Sequence, residues 1–250
     1  MELRDNTAIV VGASSGIGEA VAWHLAREGY TVALLARRAE ELERVKARLE
    51  KRFGEGVALC VPHDVTDFDA VPALFDQVVE RLGGLALIVY AAGIMPRVEP
   101  EEYSFAKDKA MVDVNLLGMI AWLNQAADFF ARVRGGTIVG IGSIAGDRGR
   151  KGQPGYNTSK GAQAIFLEAL RNRLAEHDVR VVTIKPGYVE TPMTAGMGEL
   201  KGMISAHEAG RAIVAAAHRS RGTVYVPKRW ALVGFVIRHI PSFIFRRLGI

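Results

Sequence analysis

Val11–Gly18 reads VGASSGIG, directly after the apolar run that begins at Ala8 and directly before an amphipathic stretch, Gly16–Glu28. Three glycines, Gly12, Gly16 and Gly18, stand in the spacing Gly-x-x-x-Gly-x-Gly. Glycine lets a chain turn sharply between a strand and a helix. It also lets backbone N–H groups come close to a pyrophosphate at the helix N-terminus, where the helix dipole favours an anion. Ser14 and Ser15 add hydroxyl donors, and Ile17 lies between the last two glycines. The stretch therefore predicts a strand, a phosphate-cradling turn and a helix: the opening of a dinucleotide-binding fold.

The rest of the chain repeats that alternation. Runs rich in Val, Ile and Leu occur at Ala8–Val11, Thr31–Ala36, Val57–Val61, Ala86–Tyr90, Thr137–Ile141, Val179–Ile184 and Thr223–Val226. Runs without polar alternation suit parallel strands buried on both faces. Between them lie stretches of helical length, among them Ala39–Phe53, Asp67–Leu82, Lys107–Ala131 and Pro154–Glu176. The expectation is an α/β, doubly wound Rossmann fold: one domain with a seven-stranded parallel sheet and helices on both faces. Residues 1–228 form the binding and catalytic part, and 229–250 an apolar, basic extension of the same domain.

Which dinucleotide is bound is read at the end of the second run, LLARRAEE. An acid there would grip the ribose 2′-hydroxyl of NAD. Ala36 occupies that place, followed by Arg37 and Arg38. A carboxylate would repel a 2′-phosphate, whereas guanidinium forks bind it through charge-assisted hydrogen bonds. NADP(H) is favoured over NAD(H), with Arg37 the firmer of the two contacts.

Composition narrows the class further. The chain has 250 residues, 49% hydrophobic and 24% charged, and a net charge of +5. No acid follows Glu208, while eight Lys and Arg do. No helix-turn-helix, zinc knuckle or aromatic-basic platform accompanies that charge, so nucleic-acid binding is not expected. Six scattered histidines without ligand spacing argue for no metal. The single cysteine, Cys60, allows no disulfide framework and reads as a buried, inert thiol. The first residues, MELRDN, carry no signal-peptide pattern, so a cytoplasmic location is expected.

GYNTSK, Gly155–Lys160, puts Tyr156 and Lys160 at i and i+4 of a helix, on one face. A phenol titrates near 10, and a nearby ammonium with a positive nicotinamide would lower that value. Tyr156 would then be a general acid. Ser143, after a buried strand, would bond the same carbonyl oxygen.

GASSGIG, HDVT at 63–66, AAG at 91–93, Asn115 in VNLLG, Ser143 in IGSIAG, YNTSK and KPGYVET at 185–191 together resemble the short-chain dehydrogenase/reductase family, from Thr7 to about Val226. The resemblance implies hydride transfer between NADP(H) and a ketone, an aldehyde or the matching alcohol. It implies that Lys160 also holds the nicotinamide ribose and that Asn115 anchors a water in a proton relay to Lys160. It further implies that Asp64 accepts from the adenine amino group with the Val65 backbone beside it, and that Ala92 and Gly93 line the cofactor channel. Pro186, Gly187, Val189 and Thr191 would hold the nicotinamide end. Two departures stand out: Val11 replaces the usual Thr, and YAAG the usual Asn-Asn-Ala-Gly.

Three expectations concern partners. Met193, Met197 and Met203 make the segment after Thr191 apolar and adaptable, which suits a lipophilic carbonyl substrate. Met111, Leu116, Met119, Trp122, Ala162, Phe166 and Leu170 exceed what one helix face can hide, and the family pairs such helices into homodimers or homotetramers. The tail KRWALVGFVIRHIPSFIFRRLGI has only eight uninterrupted apolar residues, too few to span a bilayer. It would either fold back over the cleft or an interface, or lie peripherally on a membrane. The competing functional reading is a non-catalytic NADP sensor or membrane-surface scaffold on the same fold.

Overall fold

The computed structural model describes residues 3, 5–99, 101–198 and 200–248. Glu199 of the methionine-rich segment and the last two residues of the tail lie outside them. Seven strands form one parallel sheet: β1 (Thr7–Val11), β2 (Thr31–Ala36), β3 (Ala58–Pro62), β4 (Leu87–Tyr90), β5 (Thr137–Ile141), β6 (Arg180–Pro186) and β9 (Thr223–Val226). Their order is β3-β2-β1-β4-β5-β6-β9. Each apolar run of the sequence is thus a strand, and the sheet is the expected Rossmann sheet. A two-stranded ribbon, β7 (Val189–Glu190) with β8 (Ile204–Ser205), was not foreseen.

Both sheet faces are dry because strand side chains alternate between two cores. On one side Ile9, Val11, Ile88, Tyr90, Ile138 and Val181 pack under α3 (Val71–Leu82), α5 (Gly118–Val133) and α6 (Pro154–Arg173). On the other, Ala8, Val10, Leu34, Val89, Val139 and Val182 pack under α1 (Gly16–Arg27), α2 (Ala39–Phe53) and α7 (Ala206–Arg219). Trp122 of α5 is fully buried against His63 and Phe75, and cutting it to Ala would cost about 3–5 kcal/mol.

The sequence stretch Lys107–Ala131 is not one regular helix. It divides into α4 (Phe105–Met111), a π-helical turn (Val112–Leu117) and α5. The extra residue of a π-turn rotates everything after it around the axis. Met119 and Trp122 after the turn are buried in the core, as are Met111 before it and Leu170 of α6. These four are not surplus apolar surface. Phe105, Leu117 and Ile165 are the outward large side chains of these helices.

The chain ends in two short helices, α8 (Trp230–His239) and α9 (Ser242–Phe245). One face of this tail is fixed to the body: Gly234, Ile237 and Phe245 are buried. Among the described residues no helix is long and apolar enough to cross a membrane.

Candidate active site

The glycine-rich turn follows β1 at the carboxyl end of the sheet, where doubly wound folds bind ligands. Gly12 has φ +91°, and a Cβ there would lie 2.5 Å from the Ala92 backbone nitrogen. At Gly18 a Cβ would meet the Gly12 carbonyl oxygen at 2.1 Å. Only glycine permits these approaches. No side chain caps the first turn of α1, so its N–H groups face a cleft of about 680 Å³. Gly12, Ser14, Ser15, Gly16, Ile17, Gly18, Arg37, Arg38, Val65, Ala92, Gly93 and Thr191 all line that cleft. Bare backbone, a helix N-terminus and two guanidinium groups around one groove fit a dinucleotide. Ala36, His63, Ala91, Ile94, Met95, Pro96, Val114, Pro192 and Met193 complete the lining. Sequence reasoning missed Ile94, Met95, Pro96 and Val114, because apolar walls carry no motif.

The two arginines take different positions. Arg38 reaches the turn itself, donating to Ser14 Oγ at 2.9 Å and Ser15 Oγ at 3.0 Å. Arg37 leans the other way and pairs with Asp64 at 3.7 Å. Arg38 is thus the cation bonded to the glycine-rich turn, while both arginines line the cleft. Burial tends to raise the Asp64 pKa, but the Thr66 N–H and hydroxyl, helped by Arg37, hold it below the usual carboxylate range.

Behind Gly93 of the cleft, where a Cβ would stand 3.6 Å from Lys160 Nζ, β5 leads into Ser143, whose Oγ accepts from Ala145 N and caps a 3₁₀ turn, Ile144–Asp147. Tyr156 and Lys160 stand on α6, which starts with Pro154 in its first turn, where proline's missing N–H is no loss. The Ser143 hydroxyl is near enough to the Tyr156 phenol to draw its titration down. Lys160 is buried, and its Nζ donates to Ile141 O at 3.0 Å while lying 5.7 Å from the Tyr156 ring centroid.

Burial dominates the electrostatics here. Burial raises the phenol's pKa above 10, although the Ser143 hydroxyl and the Arg150 guanidinium pull it down. The same burial drives the Lys160 amine down to about 7. In the chain by itself desolvation outweighs cation assistance at the buried Lys160 and the half-buried Tyr156. Tyr156 is therefore fully protonated at neutral pH, the state a proton donor needs.

Asn115 is the centre of the π-turn and has no exposed surface. Its Oδ1 accepts from Ile94 N at 2.7 Å, and its Nδ2 donates to Ile94 O and to Ser159 Oγ. Its main-chain carbonyl accepts from Nε2 of Gln163, a buried residue one turn beyond Lys160 that sequence reasoning missed. The side chain is thus spent on bracing the Gly93–Ile94 loop. A relay water anchored here would have the second lone pairs of that carbonyl and of Oδ1.

Pro186 ends β6, and Gly187 N donates to Val226 O at 2.9 Å. A Cβ on Gly187 would collide with the Trp230 indole, which also packs edge-on against Tyr188 at 5.3 Å. Val189 is buried in the ribbon, and Thr191 touches Gly16, closing the segment onto the glycine-rich turn. No cluster of His, Cys, Asp and Glu suited to a metal exists among the described residues.

Residues 6–201 match the family model for short chain dehydrogenases. The chain belongs to that family. An uncharacterized oxidoreductase of Mycobacterium tuberculosis H37Rv is 31% identical over 243 residues, 96% of each chain. One from Staphylococcus saprophyticus is 34% identical over 194 residues, covering 78% of this chain and 82% of its own. Among solved structures, levodione reductase superposes with a TM-score of 0.84 at 23% identity, over 92% of this chain and 99% of its own. ElxO with NADP bound gives 0.82 at 21%, over 93% and 100%. As a short chain dehydrogenase this protein is an oxidoreductase of a family that uses a nicotinamide cofactor and acts on small molecules.

Proposed function

We propose that the protein is an NADP(H)-dependent oxidoreductase that interconverts a ketone or aldehyde and the corresponding alcohol, with Tyr156 as general acid and base. The observation that carries this reading is the buried Lys160, whose Nζ lies 5.7 Å from the Tyr156 ring centroid and next to Gly93 of the cleft, with the Ser143 hydroxyl acting on the same phenol. When bound, NADPH supplies the hydride. Ser143 and Tyr156 hold the carbonyl oxygen, and the protonated phenol donates to it as negative charge develops. The Lys160 amine, near pKa 7, can return a proton to the phenolate at little cost. Arg38, with Arg37 beside it, holds the 2′-phosphate. Asp64 and Val65 take the adenine, while Pro186, Gly187, Val189 and Thr191 flank the nicotinamide. Asn115 keeps the Gly93–Ile94 loop in place and supports the proton path.

Residues 1–228 constitute the catalytic domain, with 229–250 as its extension, in a cytoplasmic homodimer or homotetramer in peripheral contact with a membrane. The half-exposed Met193 and Met197 favour a lipophilic substrate. The test is NADPH consumption against a carbonyl panel with Tyr156→Phe as control. The variant should bind NADPH within about twofold of the parent while kcat falls by about 100-fold or more. Residual turnover within a few-fold of the parent would refute the assignment.

A further inference from the structure

The tail is half partnered. Inward, Arg148 donates to the carbonyls of Ile237 and Ile240 and to Ser242 Oγ, and its guanidinium lies 4.0 Å from the Phe245 ring centroid. Outward, Leu232, Val233, Phe235, Val236, Phe243 and Ile244 are exposed, Leu232 at 70% and Phe243 at 61%. Single exposed apolar residues are ordinary, whereas six on two consecutive short helices form a patch that asks for a partner.

The charge around that patch decides which partner. Lys228, Arg229, Arg238, Arg246 and Arg247 are exposed on the same segment, and no acid occurs after Glu208. A two-fold contact through this face would bring two such sets of cations together with no acid on the segment to offset them. An anionic lipid surface accepts both features together: the apolar side chains enter the acyl boundary and the cations meet the headgroups.

We propose that α8 and α9 dock this protein on anionic membranes. The docked face adjoins the cleft, since Trp230 packs on Gly187 and Tyr188, and Arg229 donates to Gly202 O at 2.6 Å at the end of the methionine-rich segment. Docking stands on the surface alone. That it brings a lipophilic carbonyl compound from the bilayer to the cleft rests on the catalytic reading above.

The test is co-sedimentation of the full chain with vesicles of phosphatidylglycerol and phosphatidylcholine, compared with phosphatidylcholine alone, at low and high salt. The protein should pellet with the anionic vesicles at low salt and be released at high salt. Each cation near such a surface is worth about fivefold in partitioning. Arg246→Glu with Arg247→Glu should therefore weaken binding by at least about 25-fold. Phe235→Asp with Phe243→Asp should abolish it. Both pairs are exposed, so an unchanged melting temperature and NADPH affinity confirm that each variant is folded. Parent protein left in the supernatant at low salt overturns the proposal. So does pelleting that ignores all four substitutions. So does light scattering in which Phe235→Asp with Phe243→Asp splits an oligomer while no form of the protein binds vesicles. Sedimentation does not depend on turnover, so a failed catalytic assignment and a failed docking site are read separately.

Discussion

Lys160 makes the physical argument measurable without any substrate. Burial places its folded pKa at about 7, against 10.5 for a free lysine. A lysine whose folded pKa lies below its unfolded value binds fewer protons when folded. The native state is therefore favoured increasingly as pH rises from about 7 towards 10.5, with a slope of at most about 1.4 kcal/mol per pH unit. Between pH 7 and pH 9 the gain is about 2 kcal/mol, which corresponds to about 4–8 °C in melting temperature for a domain of this size. Lys160→Met keeps the length of the side chain and removes the titration. Its lost bond to Ile141 O shifts stability by a constant, not by a slope. Other groups titrate too. Cys60, half-buried with its thiol pushed up to about 12, destabilises the fold at high pH, and the buried His24 and His63 act at low pH. All three are common to both proteins and cancel in the difference. Melting temperature should be recorded by calorimetry across this range for parent and variant. The difference between the curves should open by several degrees with rising pH. Parallel curves would mean that the amine is not desolvated, and the account of the catalytic pair would fall with it.

Two more expectations follow from the same geometry. Arg38→Ala should weaken NADPH relative to NADH by about 1.5–3 kcal/mol, the value of a charged hydrogen bond, and Arg37→Ala by less because Asp64 already holds that guanidinium; calorimetric titration that ranks the two the other way restores Arg37 as the main contact. Ile165, 71% exposed on α6, should lie in a subunit interface, so Ile165→Glu should lower the mass found by light scattering, and a monomeric parent protein at micromolar concentration refutes the assembly.

What could be read in the sequence follows from how far each signal reaches along the chain. Strands buried on both faces announce themselves as apolar runs, and the glycine-rich turn is fixed by local backbone geometry, so fold and cradle were legible. Tyr156 and Lys160 were legible for the same reason, since i and i+4 always share a helix face. Arg37 and Arg38 were not separable. They sit at a strand-to-helix corner, where Arg38 is the N-cap of α2 and a single ψ decides which side chain turns to the serines. The π-turn was only half visible. Asn115 is a poor helix former, which marks an irregularity. Its kind, however, depends on partners as distant as Ile94 and Gln163. The expectation that one helix face could not hide Met119 and Trp122 took Lys107–Ala131 as one unbroken helix, whereas both are buried after the turn.

The tail shows why the membrane question calls for point substitutions and not truncation. Asp147, four residues after Ser143, has no exposed side-chain surface; Lys185, just before Pro186, pairs with it, and Tyr225 of β9 donates to it at 2.8 Å. Gly234 of α8 lies so close above that carboxylate that a Cβ would stand 2.5 Å from Oδ2. One buried anion thus joins the segment carrying Ser143, the turn carrying Gly187 and the tail. Removing residues 229–250 would open this pair to water and strip Arg148 of three acceptors, each such bond being worth about 1.5–3 kcal/mol. A truncated chain that lost vesicle binding would then have lost the support of Ser143 as well, and one effect could not be told from the other. Substitutions confined to the outward face leave Gly234, Ile237, Phe245 and the Arg148 clamp in place. A change in sedimentation at constant turnover then belongs to the surface alone.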